Sequence, residues 1–345
     1  MMSSVYSTRA GAGLASAIND RGSRVSTPTE DALARKPGIH LGDTVFRTVL
    51  YASAGVVVVS LFAILLIMFL GGRQAFETFG LEFIWSTQWN PVKDLYGALP
   101  AITGTLITSM IALVIAWPIG FGIAFFLTET CPRPLRSPLG VAVELLAAIP
   151  SIVYGMWGFF VLAPFMATYI QPWLTETFAF LPPIGDSFFW FAAPPIGVGL
   201  MTASLILAIM ILPFIAATTR DVLITTPQLL KDGAYALGAT RWETLTGAVI
   251  PAVRGSLFGA VFLGLGRALG ETMAVVFVIG NATRMPDSLL APSASIASVV
   301  ANNFPESEPG SIKLAVLLAL GFILFVVSFG VLAVARLLLR QERMS

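Results

Sequence analysis

The chain has 345 residues, of which 56% are hydrophobic and 11% are charged, whereas roughly a quarter of the residues in an ordinary soluble domain are charged. Long stretches carry no charge, and a soluble core of this size would need a charged shell, so composition predicts an all-α integral membrane protein. The net charge of +1 gives no bulk electrostatic case for nucleic-acid binding. Cys131 is the only cysteine, which excludes an internal disulfide. His40 is the only histidine, which excludes a histidine-based triad or zinc site.

The N-terminal segment 1–44 is rich in Ser, Ala, Gly and Arg, and no apolar run precedes Val45. A cleavable signal peptide needs such a run, so we predict a cytoplasmic tail instead. A helix that crosses the roughly 30 Å hydrocarbon layer needs about 20 mostly apolar residues. Segments that meet this requirement define a transmembrane domain, 45–338, and a C-terminal cytoplasmic tail, 339–345. The six predicted spans are 48–71, 99–127, 138–163, 196–218, 253–280 and 314–336.

Positive charge is unequally divided between the two sides of the predicted bundle. Six spans place both termini on one side, and the segments on that side hold 15 of the 20 Lys and Arg residues. The opposite side holds four, at Arg73, Lys93, Arg284 and Lys313. Since Lys and Arg collect on the cytoplasmic side of membrane proteins, we expect both termini in the cytoplasm.

The longest predicted inner connection, 219–251, has a helical pattern. Apolar residues recur at helical spacing over 228–238, Gly238 is expected to stop that helix, and a second short helix over 240–249 is expected to end at Pro251. Such a hairpin presents a half-apolar surface to the cytoplasm. It either docks a partner protein or lies on the membrane surface without one.

Two opposite charges interrupt the fifth predicted span. Arg267 and Glu271 are four residues apart, so a continuous helix would place them on one face, where they can pair. One interpretation is a self-neutralising structural ion pair. The other is a cation beside the path of an anion, because guanidinium matches phosphate with two parallel hydrogen bonds and intramembrane charges usually face a cavity.

Small residues and prolines mark further positions. A stripe of glycines along the fifth span is predicted to let another helix approach closely; its members are Gly255, Gly259, Gly266 and Gly270. In the third span Pro150 should kink or break the helix, six residues after Glu144. The sequence contains no G-x-x-x-x-G-K-[ST] phosphate loop, so no ATP site is predicted in this chain.

The inner connection resembles a known motif of the membrane subunits of bacterial binding-protein-dependent ABC importers. The matching residues are Asp232-Gly233-Ala234, Gly238 and Ile250-Pro251; Gly and Pro stand at the family spacing, while Asp, Gly and Ile replace the family's Glu, Ala and Leu. The resemblance implies a coupling helix that docks on an ATPase subunit. It also implies a type I ABC importer permease fold.

Two longer segments are similar to the signature segments of phosphate-specific ABC permeases, and the residues before the first two spans resemble the C-type subunit. These segments are 144–158 and 263–281. The resemblance implies phosphate as substrate, the bacterial cytoplasmic membrane as location, and a path beside Arg267 and Glu271. It also implies three partners: a related A-type permease, a pair of ATPase subunits that bind ATP and Mg, and an external phosphate-binding protein. No cofactor and no enzymatic activity are expected in this chain itself.

Other functions stay open on the residues alone. One arginine does not distinguish phosphate from sulfate, molybdate or phosphonate. An ion-coupled secondary transporter would use Arg267 and Glu271 for ion coupling, and a signalling scaffold would use the inner connection to recruit regulators.

Overall fold

The structure is a computed structural model that describes residues 41–178, 180, 190, 191 and 193–342. Its regular elements within these residues are helical. They are α1 Leu41–Phe79, α2 Glu82–Trp85, α3 Leu99–Thr130, α4 Arg133–Ala147, α5 Ser151–Thr177, α6 Leu200–Ile224, α7 Gln228–Ala236, α8 Arg241–Leu269, α9 Met273–Val278, α10 Ile296–Asn303 and α11 Ile312–Glu342.

Helices α1, α3, α5, α6, α8 and α11 are the six that are long and apolar enough to cross a membrane. The prediction of an all-α membrane protein with six transmembrane helices is therefore confirmed. Of the predicted N-terminal tail, residues 1–40 lie outside the described residues, and the last part of it already belongs to α1. Helix α11 likewise extends into the predicted C-terminal tail, of which 343–345 lie outside the described residues.

The third span is displaced from its predicted bounds of 138–163. Helix α4 ends at Ala147, Pro150 has an extended backbone with ψ of 135°, and α5 starts at Ser151 and continues to Thr177. Proline lacks the N–H that would continue the helix, so the expected break at Pro150 is confirmed. The break removes α4 from the span, and the apolar segment Ser151–Thr177 takes its place.

The fifth span also differs from its predicted bounds of 253–280. Helix α8 runs without a stop from Arg241 through Pro251, so the expectation that a short helix ends at Pro251 is wrong. A π-helical turn over Leu245–Val249 precedes the proline; such a turn re-spaces the hydrogen bonds that Pro251 would otherwise break. At the other end α8 stops at Leu269, and α9 begins at Met273.

Contacts divide the chain into two units, Met1–Ala63 and Ile64–Ser345. The described part of the first unit is the N-terminal half of α1, whose apolar side chains are exposed. In the second unit α6 is central: 67% of its most apolar window is buried. Both Gly120 of α3 and Gly264 of α8 approach Ile215 of α6, and a Cβ at Gly264 would lie 2.7 Å from that side chain. Glycine at these positions lets three spans pack closely.

A separate apolar cluster joins the ends of three helices beside the α7–α8 hairpin. Ala124 of α3 and Leu223 of α6 pack there with Leu245 and Val249 of α8, and all four are buried. The start of α8 is thus fixed to the ends of two spans. The hairpin is consequently anchored to the bundle through its second helix.

Candidate substrate path and coupling hairpin

Arg267 lies on the last turn of α8 and is exposed. Its guanidinium carbon is 5.7 Å from the centre of the Phe214 ring on α6, a cation–π contact. Among the described residues no carboxylate lies within ion-pair distance of it. A charge exposed to hydrocarbon is costly, so this face of α8 is suited to a water-filled cavity or a partner surface rather than lipid.

Glu271 does not pair with Arg267, and the prediction that the two share one helix face is wrong. The spacing argument requires an uninterrupted helix, but α8 ends at Leu269 and Gly270 follows it. Glu271 instead accepts a hydrogen bond at 3.1 Å from the backbone N–H of Ala274, in the first turn of α9. Both charged residues therefore flank one helix break, and the carboxylate caps the next helix.

The two signature segments pack against each other. A Cβ at Gly155 of α5 would lie 3.0 Å from both the carbonyl oxygen of Met273 and the Cα of Ala274, so only glycine allows this approach. A Cβ at Gly158, one turn later, would lie 2.7 Å from the Ile206 side chain and 3.1 Å from that of Val278. The glycines of the first segment thus serve close packing on α9, which belongs to the second segment.

Tyr154 is a site residue that sequence reasoning missed. Its hydroxyl donates to the carbonyl oxygen of Leu146 at 2.9 Å and so spans the break at Pro150. The phenol also lies near enough to Arg267 for the two groups to interact electrostatically. A tyrosine inside an otherwise apolar signature segment was the available signal.

The second signature segment ends in a tight turn that requires its residue types. Gly280 has φ of 91° and Asn281 has φ of 52°, a left-handed region that glycine and asparagine adopt most readily. The Asn281 amide donates to the carbonyl oxygen of Val276 at 2.9 Å, at the end of α9. The turn and this side-chain bond therefore end α9.

The predicted glycine stripe finds little contact within the described residues. A side chain at Gly259 would meet no atom within 4 Å, one at Gly266 would contact only Leu332 of α11 at 3.6 Å, and Gly270 lies near its own helix. Gly255 is half-buried on α8. Close packing of this stripe therefore stays a prediction, whereas the unpredicted Gly264 makes the tight contact.

The α7–α8 hairpin contains the residues of the coupling motif. Asp232, Gly233 and Ala234 lie on α7, where Asp232 accepts a hydrogen bond at 3.0 Å from the Gln228 amide. Gly238 has φ of 84° and ends the first arm as predicted, and Thr240 and Glu243 form a reciprocal capping box that starts α8. Pro251 lies further along α8.

The hairpin has an apolar outer surface. Leu229 is 84% exposed and Leu237 is 90% exposed. Isolated exposed leucines are common, but helical spacing places Leu229 and Leu237 on the same side of α7 as the exposed Leu230, so these three form a patch. The patch has the character of a protein-docking surface.

Glu129, in the last turn of α3, holds both arms of the hairpin. Its carboxylate receives the Lys231 ammonium of α7 at 2.5 Å, and the two side chains are only 16% and 11% exposed. Its backbone carbonyl accepts from the Arg241 guanidinium of α8 at 3.3 Å. An edge-to-face contact between Phe125 and Trp242, with ring centres 6.1 Å apart, adds to this junction. The end of α3 and the hairpin are therefore linked by charge, hydrogen bond and ring contact.

Comparisons with known proteins give a consistent family. The model of the family described as "Binding-protein-dependent transport system inner membrane component" matches residues 120–343. The phosphate transport system permease protein PstC of Xylella fastidiosa is 51% identical over 297 residues, which cover 86% of this chain and 90% of that protein. The PstC of Mesorhizobium japonicum is 51% identical over 313 residues, covering 91% and 94%. A probable PstC of Methanocaldococcus jannaschii is 35% identical and covers 82% and 89%.

Solved structures with a similar fold are membrane transport assemblies. A chain from the bacterial alginate ABC transporter, crystallised with an alginate-bound periplasmic protein, superposes with a TM-score of 0.57 and covers 87% of this chain and 97% of that one. Its sequence identity is 16%, so the similarity concerns the fold.

Proposed function

Because the chain belongs to the family of PstC phosphate transport system permeases, we propose that inorganic phosphate crosses the membrane beside Arg267. The chain is the membrane-spanning permease subunit of a phosphate ABC importer. The observation that carries the proposed path is the position of Arg267: an exposed cation, without an ion-pair partner in the described residues, at the break between α8 and α9. Both signature segments meet at this break.

The chemistry of Arg267 suits a tetrahedral oxyanion. Phe214 contacts the guanidinium through the face of its ring, which leaves the N–H edges free to donate. Two parallel N–H donors match two phosphate oxygens. Glu271, held at the same break by Ala274, adds a negative charge that opposes tight retention of the anion and so favours its release.

ATP is hydrolysed by a partner ATPase in this proposal. The patch formed by Leu229, Leu230 and Leu237 supports docking of the hairpin on that subunit. Glu129 binds Lys231 and Arg241 of the hairpin, and we call these two contacts the clamp at Glu129. The clamp supports transmission of hairpin movement to α3. From there the close contact of Gly120 with Ile215 continues to Phe214 beneath Arg267. ATP-driven movement of the hairpin would thereby alternate access to the path.

Two further partners complete the assembly that we propose in the bacterial cytoplasmic membrane. A related A-type permease would cover the face of α8 that carries Arg267 and Gly259, neither of which is covered by the described part of this chain. A binding protein outside the membrane would deliver phosphate. The path would then lie between the two permeases.

Docking of the hairpin is tested by replacing its exposed leucines. The double variant L229S/L237S should retain the folded permease but lose co-purification with the ATPase, because these side chains support no core of this chain. The control is L81S, a leucine that is 75% exposed in the predicted outer segment. Unchanged ATPase binding by the double variant would contradict the docking surface.

Substrate identity is tested by the anion that stimulates ATP hydrolysis. In proteoliposomes with the ATPase, the A-type permease and the binding protein, phosphate should raise the ATPase rate. Sulfate, molybdate and phosphonate at equal concentration should not. Stimulation by one of those anions in place of phosphate would move the chain to another oxyanion importer.

A further inference from the structure

A cavity of about 340 Å³ lies between the end of α3, helix α4 and the end of α6, apart from Arg267. Three arginines line it, and the remaining lining is a mixture of polar and apolar residues. The lining residues used below are Arg133, Arg136, Gly140, Glu144 and Arg220. By the distribution of Lys and Arg, this end of the bundle is predicted to face the cytoplasm.

Arg220 has only part of its hydrogen-bonding capacity occupied. Its Nη2 donates to Glu144 at 2.6 Å and to Asp221 at 3.0 Å, and its Nε donates to Asp221 at 3.3 Å. The side chain is 18% exposed, yet Nη1 has no acceptor among the described residues. Nη1 keeps some access to solvent, so it is available to donate to a ligand oxygen.

Gly140 provides the space that the Arg220 guanidinium occupies. A Cβ at this position would lie 2.6 Å from Nη1 of Arg220, which means that any larger residue would displace the guanidinium. Both residues line the cavity, so glycine at this position keeps Arg220 at the cavity wall.

Positive charge dominates the cavity. Arg133 and Arg136, at the start of α4, form no ion pair with the described residues, and Glu144 is the only carboxylate in the lining. Three positive charges against one leave an excess of two, and an excess of one if Asp221 is counted through its bond to Arg220. Guanidinium groups in such surplus are complementary to a phosphate group, which accepts several charge-assisted hydrogen bonds.

Helix α4 also carries exposed apolar side chains next to the arginines, at Leu135, Leu139 and Val141. An arginine cluster beside an apolar surface fits a phospholipid, with its headgroup on the charges and its acyl chains on the leucines. We propose that this cavity binds a phosphate group, supplied by the headgroup of an anionic phospholipid or by free inorganic phosphate. The site is separate from the translocation path.

The test compares two double variants of the complete permease–ATPase assembly in nanodiscs. R133Q/R136Q removes two charges from the cavity, and the control K93Q/R284Q removes two from the predicted outer side. Native mass spectrometry with phosphatidylglycerol should show bound lipid in wild type and control, and at least tenfold weaker binding in R133Q/R136Q. Because no ATP or transport is involved, this result does not depend on the proposed path.

A second arm identifies the source of the phosphate group. In nanodiscs of phosphatidylcholine alone, equilibrium binding of radiolabelled inorganic phosphate is compared between wild type and the same two variants. A loss confined to phosphatidylglycerol assigns a lipid site, and a loss confined to inorganic phosphate assigns a site for the free ion. Equal binding of both probes by wild type and R133Q/R136Q would overturn the proposal.

The variant G140V keeps every charge and displaces the Arg220 guanidinium from the cavity wall, so it serves if R133Q/R136Q fails to assemble. It should weaken the same probe at least tenfold, and unchanged binding would also overturn the proposal.

Discussion

Arg267 is the residue on which the proposed path depends. A charged side chain costs up to about 2.5–3.5 kcal/mol on insertion scales, the value for the centre of a span, and Arg267 lies at the end of α8. The contact with Phe214 returns only about 0.5–2 kcal/mol of that. The remaining cost is unexplained by contacts within the described residues, which is consistent with a position that serves an anion.

Substitution of Arg267 tests this role. R267A should lower phosphate uptake by the reconstituted importer by about tenfold or more, since truncation of one partner in a hydrogen-bonded charge pair costs about 2–5 kcal/mol. R267K should retain part of the uptake because it keeps the charge and loses the two-pronged geometry. Co-purification of the partners controls for assembly. Uptake at the wild-type rate by R267A would remove the residue from the path.

The sequence identified Arg267 as a candidate site residue because a charge in an apolar span is conspicuous. It predicted the wrong partner for that charge. The pairing with Glu271 assumed a helix that Gly270 interrupts. Tyr154 contacts Leu146 across the break at Pro150, and only the fold brings these two residues together. Spacing rules apply within one helix and contain no information on such contacts.

The α7–α8 hairpin is the element whose structure goes furthest beyond its sequence pattern. Its arms, its stop at Gly238 and its start at Thr240 follow from local signals. The continuation of α8 through Pro251 does not follow from local signals. The π-helical turn that accommodates the proline contains Leu245 and Val249, which pack against other helices. The observed bounds of the third span also differ from the predicted ones. The apolar run in the sequence continues across Pro150, whereas the helix is interrupted there.

The clamp at Glu129 gives a prediction for this element. E129Q leaves the Lys231 charge largely buried without its partner, a situation that typically costs about 3–5 kcal/mol. We expect the hairpin to remain docked on the ATPase but its connection to α3 to weaken, so that the number of phosphate ions transported per ATP falls several-fold. Separate assays of ATP hydrolysis and phosphate uptake in the same proteoliposomes measure this ratio.

Two further variants control that experiment. The pair of Glu306 and Lys313, 3.6 Å apart, lies elsewhere, with the Glu306 side chain 75% exposed, and E306Q should leave the ratio unchanged. The exchanged pair E129K/K231E should recover part of the coupling. An unaltered ratio in E129Q would show that the clamp has no part in coupling.

The orientation of the whole molecule is predicted from charge alone and needs its own test. Val92 is 94% exposed in the predicted outer segment, and Leu237 is 90% exposed on the hairpin. In a C131S background expressed without the ATPase, a membrane-impermeant maleimide should label V92C in intact cells and L237C only after permeabilisation. Labelling of L237C in intact cells would reverse the orientation.

We propose that this chain provides a phosphate path and a coupling surface, while a partner hydrolyses ATP. The most direct test is accumulation of radiolabelled phosphate in proteoliposomes that contain the two permeases and the ATPase, with the binding protein outside the membrane. We predict accumulation only when this chain is present and ATP is supplied on the hairpin side. Accumulation driven by a proton gradient without ATP or the ATPase would contradict the account and identify a secondary transporter.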